Sequence, residues 1–174
     1  MRPERPFPVR DVVRALRKPS PMDVRSHTIE PVDPVRDLAA LVPLVDAYRV
    51  FYEQPSDLAA ADAFVRERLA KSDTQFFVAR GAGGELVGFA HLLFSFETVS
   101  LRRLGILEDI YVAESARGSG VGGALLDAAA TFAREHGLVR LTLATAHQNR
   151  VAQRLYLAHG YVPDQRFRSF NLFL

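Results

Sequence analysis

Arg117-Gly118-Ser119-Gly120-Val121-Gly122-Gly123 falls where a strand ending in Tyr111-Val112 should give way to a helix. Without Cβ atoms the backbone can approach an anion closely, and the free N–H groups and positive dipole end of the following helix then point towards it. Arg117 adds a permanently charged, forked donor suited to a phosphate oxygen. The same glycines would serve a plain tight connection with Arg117 in solvent. Gly118, Gly120 and Gly123 also match the G-x-G-x-x-G spacing of dinucleotide folds. That fingerprint calls for an acid about 20 residues on, where this chain reads Leu141-Thr-Leu-Ala-Thr-Ala, and the Gly-Lys-Ser/Thr of a Walker loop is missing.

Three further groups of residues could do chemistry. Strict alternation puts Glu108 on the strand face of Leu104, Ile106, Ile110 and Val112 unless a bulge changes the register, with Asp109 on the other face. A carboxylate held among apolar neighbours is a stronger proton acceptor than one in water, although an acid at a strand end can equally make an ordinary hydrogen bond. Asn149 is placed to cap a helix, and Tyr156 lies two turns on along nearly the same face, with Ala152 leaving space between them. Periodicity alone reads Tyr156 as an amphipathic core residue. Tyr48, Phe51, Tyr52 and Glu53 cluster ahead of Gln54-Pro55 and suit either a cationic amine or helix packing. The five histidines, His27, His91, His136, His147 and His159, lack metal-ligand spacing, and Ser119 lacks a G-x-S-x-G elbow.

The elements needed to position these groups follow from pattern. A short strand is expected over 24–29, then a helix opened by Asp33 or Pro34 and running to about Glu53 with an irregularity at Pro43. Ser56 should cap the next helix, which ends near Lys71. Gln75–Arg80 and Leu86–Phe96 read as strands joined by the turn Gly81–Gly84, and a second turn at Thr98–Ser100 leads into a strand over Arg102–Val112. Leu125, Ala129, Phe132 and His136, with Leu126 and Ala133, mark one face of a helix starting near Gly122. A strand over Leu141–Ala144, a helix over Asn149–His159 and a final strand over Phe167–Phe173 complete the pattern. The fold class is α/β, with a mixed, mostly antiparallel central sheet flanked by helices.

With 174 residues, 48% of them hydrophobic, the chain can bury one substantial core, and residues 24–174 are expected to form a single domain. Residues 1–23 form a basic Pro/Arg-rich extension. Val9, Val12, Val13 and Leu16 recur there at helical spacing among arginines, and Met22 is a possible natural start. The first 25 residues carry seven Arg or Lys against three acids, so the rest of the chain is net negative. That distribution argues against a nucleic-acid partner. The sequence has no cysteine, no long apolar run and no secretory leader, which points to a cytoplasmic protein without membrane, thiolate or metal chemistry.

The segment LEDIYVAESARGSGVGGALL resembles the main cofactor motif of the GNAT superfamily of N-acetyltransferases, Arg/Gln-x-x-Gly-x-Gly/Ala, here Arg117, Gly120 and Gly122. NRVAQRLYLAHGYVPD is similar to that family's second motif, supplied by Asn149, Ala152, Leu155, Tyr156, Gly160 and Tyr161. The similarity covers residues 75–165 and is looser over the first helices. It implies acetyl-CoA as cosubstrate, with its pyrophosphate on Arg117, Gly118, Ser119, Gly120, Val121, Gly122 and Gly123, and its pantetheine arm on the backbone of Ile110, Tyr111 and Val112. Asn149 and Tyr156 belong to the same cofactor site. It further implies a splayed strand pair exposing an N–H to the thioester oxygen, Glu108 as base and Tyr156 as proton donor to the departing thiolate. FYEQPSDLAAADAF resembles members grouped with histone and polyamine acetyltransferases, which implies a small-molecule or peptide amine bound near Tyr48, Phe51, Tyr52, Glu53 and Glu108. Homodimerisation is a family-level expectation. A non-catalytic CoA-binding regulatory module and a nucleotide-dependent oxidoreductase are the alternatives.

Overall fold

The computed structural model describes residues 27–71 and 73–173, so the basic N-terminal extension and its helical pattern lie outside the described residues. The described residues fall into two compact units, one ending at Ala144 and one starting at Thr145.

The larger unit contains β1 (Thr28–Pro31), α1 (Leu38–Phe51), α2 (Leu58–Lys71), β2 (Thr74–Arg80), β3 (Leu86–Glu97), β4 (Arg102–Val112), a 3-10 turn (Glu114–Ala116), α3 (Val121–Glu135) and β5 (Leu141–Thr142). The five strands lie in sequence order in one sheet. Pairs β1 to β4 are antiparallel, and β5 joins β4 in parallel after the α3 crossover. The mixed, mostly antiparallel sheet flanked by helices read from the pattern is therefore the observed one.

Side chains alternate between two apolar layers. On one face Phe76, Val78 and Phe89 pack against Leu41 and Val45 of α1 and Ala61 and Val65 of α2. Each helix contributes residues one turn apart, which is the spacing that aligns side chains on one stripe. On the other face Phe77 of β2 meets Phe132 of α3 edge-on at 5.6 Å, and Leu125, Leu126 and Ala129 of α3 are buried.

Buried carboxylates anchor the first helix. Asp37, 1% exposed, accepts from Arg36 Nε at 2.7 Å, Arg80 Nη2 at 2.7 Å and the backbone N–H of Asp33 at 2.9 Å. Glu30 accepts from both arginines, so β1, β2 and the entry to α1 share one network. Arg36 first, then the Asp33 N–H and Arg80, hold the Asp37 carboxyl far below the usual carboxylate range against the opposing effect of burial. Farther along α1, Asp46 accepts from Ser56 Oγ at 2.6 Å and from the N–H of Asp57 at 2.7 Å.

Local departures from the sequence reading have physical causes. Asp33 heads a turn, accepting from the N–H groups of Val35 and Arg36, and α1 begins only at Leu38. Pro43 lies inside α1 without interrupting it. Ser56 is drawn to Asp46, and Asp57 caps α2 by accepting from the N–H of Ala60 at 2.9 Å. The strand expected over Phe167–Phe173 does not form; Phe167, Phe170, Leu172 and Phe173 are exposed in irregular chain.

Replacing Asp37 by Asn should cost about 2–4 kcal/mol at neutral pH, because two guanidinium groups lose a buried acceptor. Asp37 has a lowered folded-state pKa, so its contribution is present above the ordinary carboxylate value near ~3.9 and is lost as pH falls below it. Denaturant melts of both proteins from pH 7 down to pH ~2.5 should therefore show a gap that narrows on acidification.

Candidate functional site

The glycine turn follows β4 after the short 3-10 turn Glu114–Ala116. Gly118 and Gly120 have φ of +75° and +89°, the left-handed region that side-chain-bearing residues rarely adopt. A Cβ at either position would meet nothing within 4 Å, so glycine is required there by backbone conformation and not by crowding. Gly120 is the N-cap of α3, and the first turn of that helix carries no acid. The first intrahelical bond runs from the N–H of Ala124 to the Gly120 carbonyl, so the N–H groups of Val121, Gly122 and Gly123 stand ahead of the ladder. The turn is braced from within by Ser119 Oγ, which donates to the Ala116 carbonyl at 2.6 Å. Arg117 donates Nε–H to the Val112 carbonyl at 3.1 Å, an anchor that fixes its guanidinium beside the turn.

The aromatic end of α1 reaches this turn. The Arg117 guanidinium lies 5.7 Å from the ring centre of Phe51 and 5.9 Å from that of Tyr111. Tyr48 meets Tyr52 edge-on at 5.0 Å, Phe89 at 6.0 Å and Tyr111 at 6.1 Å. Tyr48 thus reaches Tyr111 and Phe51 reaches Arg117, Tyr52 packs on Tyr48 and Phe51, and Glu53 lies just past the helix, exposed and with φ of +62°.

The bulge that alternation left open is present in β4. His91 pairs with Asp109 and Leu92 with Leu107, which leaves Glu108 as the extra residue. Asp109 and Tyr111 consequently share the α1/α2 face with His91 and Phe89, while Ile110 and Val112 pair with Ala90 and Gly88 on the α3 side. Glu108 is exposed instead of being held among apolar side chains, so the desolvation expected for it is absent. The carboxylate next to the aromatic cluster is that of Asp109, whose Oδ2 lies 3.1 Å from His91 Nδ1. Burial, then the negative charge of Asp109, pushes the Tyr48 phenol well above its usual range. Strict alternation sets Asp109 on the face away from Leu104 and Ile106 because a bulge leaves no mark in the alternation of the bulged strand alone; pairing with β3 defines it and brings Asp109 to His91.

Beyond Ile106, β4 continues without a ladder to β5, which pairs only at Gly105 and Ile106. The outer backbone edge at Ile110, Tyr111 and Val112 therefore lies past the end of the β4–β5 pairing. A cleft of about 520 Å3 adjoins the glycine turn on the side of the β2–β3 turn, lined by His27, Glu85, Ser115, Ser119 and Val121. It does not include Tyr48 or Asp109.

In the smaller unit, α4 (Arg150–Ala158) begins as expected, with Asn149 Oδ1 accepting from the N–H of Ala152 at 3.2 Å. Tyr156 is buried and lies 5.9 Å from the ring of Tyr161. Among the described residues no group of three or more His, Cys, Asp or Glu could hold a metal ion, and no helix is long and apolar enough to cross a membrane.

Residues 41–161 match the acetyltransferase (GNAT) family. The uncharacterized N-acetyltransferase YhfO of Bacillus subtilis (strain 168) is 44% identical over 136 residues, covering 78% of this chain and 91% of that protein. The aminoglycoside N(6')-acetyltransferase type 1 of Serratia marcescens is 33% identical over 107 residues, covering 60% of this chain and 73% of its own. The crystal structure of a probable acetyltransferase superposes with a TM-score of 0.80 at 36% identity, covering 84% of this chain and 97% of that one. The chain belongs to the GNAT family of acetyltransferases.

The left-handed glycines give a test that needs no ligand. Gly118→Ala and Gly120→Ala should each lower stability by about 1–2 kcal/mol, the ordinary cost of that conformation for a side-chain-bearing residue. Because neither added methyl meets a neighbour, the two losses should be similar in denaturant melts.

Proposed function

We propose that this protein moves an acetyl group from acetyl-CoA to a primary amine of a small molecule or peptide by direct attack of the amine on the thioester. The observation that carries the reading is the glycine turn: two left-handed glycines before the N-terminus of a fifteen-residue helix, in a chain of the acetyltransferase family. In this reading the N–H groups from Gly118 to Gly123 and the Arg117 guanidinium receive the cosubstrate's pyrophosphate. The unladdered edge at Ile110, Tyr111 and Val112 offers backbone groups to the pantetheine arm. Asn149 and Tyr156 complete the cofactor motif.

The chemistry then needs a neutral amine, a polarised carbonyl and a protonated leaving group. The amine nitrogen bonds to the thioester carbon, and collapse of the tetrahedral adduct breaks the C–S bond. The proton lost by the amine passes through water to Glu108, whose exposure keeps it in contact with solvent. The Tyr156 hydroxyl supplies a proton to the sulfur, a feasible transfer since a phenol titrates near ~10 and a thiol near ~8.5. The acceptor binds at Tyr48, Phe51 and Tyr52, with Glu53 and Glu108 as nearby acids. Aromatic faces favour a cation, in keeping with the aminoglycoside acetyltransferase among the relatives. Histone- and polyamine-type acceptors fit the same description. The geometry gives a non-catalytic CoA-binding module no support of its own.

Thiol release from acetyl-CoA over a panel of primary amines tests the activity, and tight CoA binding with no turnover on any amine would overturn it. Tyr156→Phe should lower kcat by about 100-fold or more, the usual worth of a general acid, with CoA affinity within about threefold by calorimetry. An unchanged kcat removes Tyr156 from the acid role. Glu108→Gln should lower the rate by about 10- to 100-fold and alter the pH–rate profile where the wild-type carboxylate titrates. A superimposable profile would leave the proton to water or substrate.

A further inference from the structure

His91 occupies a position that an apolar side chain would fill at lower cost. It is 1% exposed, its ring stacks on Phe76 at 4.0 Å with planes 4° apart, and Phe64 approaches it edge-on at 6.1 Å. Burying a polar ring in such a layer costs free energy unless a hydrogen bond offsets it. The contact that does so is Nδ1 to Asp109 Oδ2, at 3.1 Å. An ionised carboxylate only accepts, so Nδ1 carries the hydrogen. Nε2 is then left with a lone pair and, among the described residues, no hydrogen-bond partner. The opposite tautomer would bury an N–H without an acceptor and break the bond to Asp109, which is the costlier arrangement.

Burial first, and then the nearby negative charge of Asp109, raises the Tyr48 phenol above its ordinary range, so Tyr48 and Asp109 are neighbours. The Nδ1–H donor on β3 sets the orientation of the Asp109 carboxylate. That side chain keeps 22% of its surface exposed. Its rim is aromatic: Tyr48 touches Tyr52 on one side and Tyr111 on the other. A partly exposed anion beside several π faces is a recognition site for an ammonium group.

We propose that His91 is a positioning residue for the acceptor amine: it holds Asp109 so that this carboxylate, not Glu108, accepts a hydrogen bond from the acceptor's N–H groups. The role rests on the acetyl-transfer reading above, and it leaves Glu108 to take the released proton through water. Asp109 has direct contact with the acceptor, and His91 acts through it.

The test is steady-state kinetics with acetyl-CoA and kanamycin, lysine or putrescine as acceptor, whichever the wild type acetylates. His91→Leu should raise the amine KM by about tenfold or more, the worth of one lost hydrogen bond to a charged group, with kcat and the acetyl-CoA KM within about threefold. His91→Asn, which can place an N–H where Nδ1–H stands, should restore the amine KM to within about threefold of wild type. Equal amine KM values for His91→Leu and His91→Asn overturn the proposal, as does an unchanged value in Asp109→Asn, the variant that decides the matter if His91→Leu does not fold. Imidazole 15N spectra give an independent reading: the Nδ1–H tautomer of His91 is expected, and an Nε2–H signal refutes the arrangement. A wild type that acetylates none of the three amines overturns the transfer reading together with this role, whereas turnover that is indifferent to His91→Leu overturns this role alone.

Discussion

In a strand, successive side chains point to opposite faces, so one inserted residue exchanges the faces of everything after it. Glu108 is that residue in β4. Ahead of it, Leu104 and Ile106 lie on the α1/α2 face, opposite Ser95 and Leu93; after it, Asp109 and Tyr111 take that face and Ile110 and Val112 pass to the other. The contacts made at the end of β4 depend on this exchange. Tyr111 reaches Tyr48 and Phe89 because it follows the bulge by an odd number of steps, and Asp109 reaches His91 for the same reason. The bulge also lies close to where β4 loses its ladder to β5, so the strand changes side-chain facing and edge pairing within a few residues.

A strand end arranged in this way is useful only if the elements around it hold still. Two anchors secure α1, whose aromatic end supplies Tyr48, Phe51 and Tyr52. Asp37 ties its start to β1 and β2 through Arg36, Arg80 and Glu30, and Asp46 ties its middle to the loop before α2. Both are buried carboxylates with several donors each, the condition under which burying a charge is tolerable. The glycine turn is fixed differently, by conformations that only Gly118 and Gly120 accept cheaply and by the Arg117 bond back to Val112. Arg117 thereby couples the turn to Phe51 of α1 through a cation–π contact.

Much of this was legible in the sequence because local rules set it. The strand limits of β4 and the capping of α4 by Asn149 followed from pattern and residue type, and the left-handed conformations at Gly118 and Gly120 suit a turn read as glycine-dependent. The misreadings arose where a partner distant in sequence competes for a local group. Ser56 is a good N-cap by type, but Asp46, ten residues earlier, claims its hydroxyl. Glu108 fits a buried alternation by position, but the choice between it and Asp109 is made by pairing with β3, through the pairs Leu92–Leu107 and His91–Asp109 that alternation within β4 cannot see. Phe167–Phe173 has the composition of a strand, yet a strand requires a neighbour to receive its backbone hydrogen bonds, and composition does not supply one.

Tyr48 shows why core and site are poorly separated by asking whether a residue packs or functions. Its ring packs against the buried cluster that includes Leu41, Val45, Phe76 and Phe89, while its phenol is held protonated by that burial and by the nearby Asp109 charge. A phenol can do both because its apolar body and polar tip are some distance apart. His91 divides its roles in the same way, with its ring face on Phe76 and Nδ1 on Asp109. The packing of these rings leaves their polar atoms little freedom, so the carboxylate between them inherits its orientation from the core. Rigid support of this kind makes a partly exposed side chain selective, since any cation must meet the anion where the core has placed it.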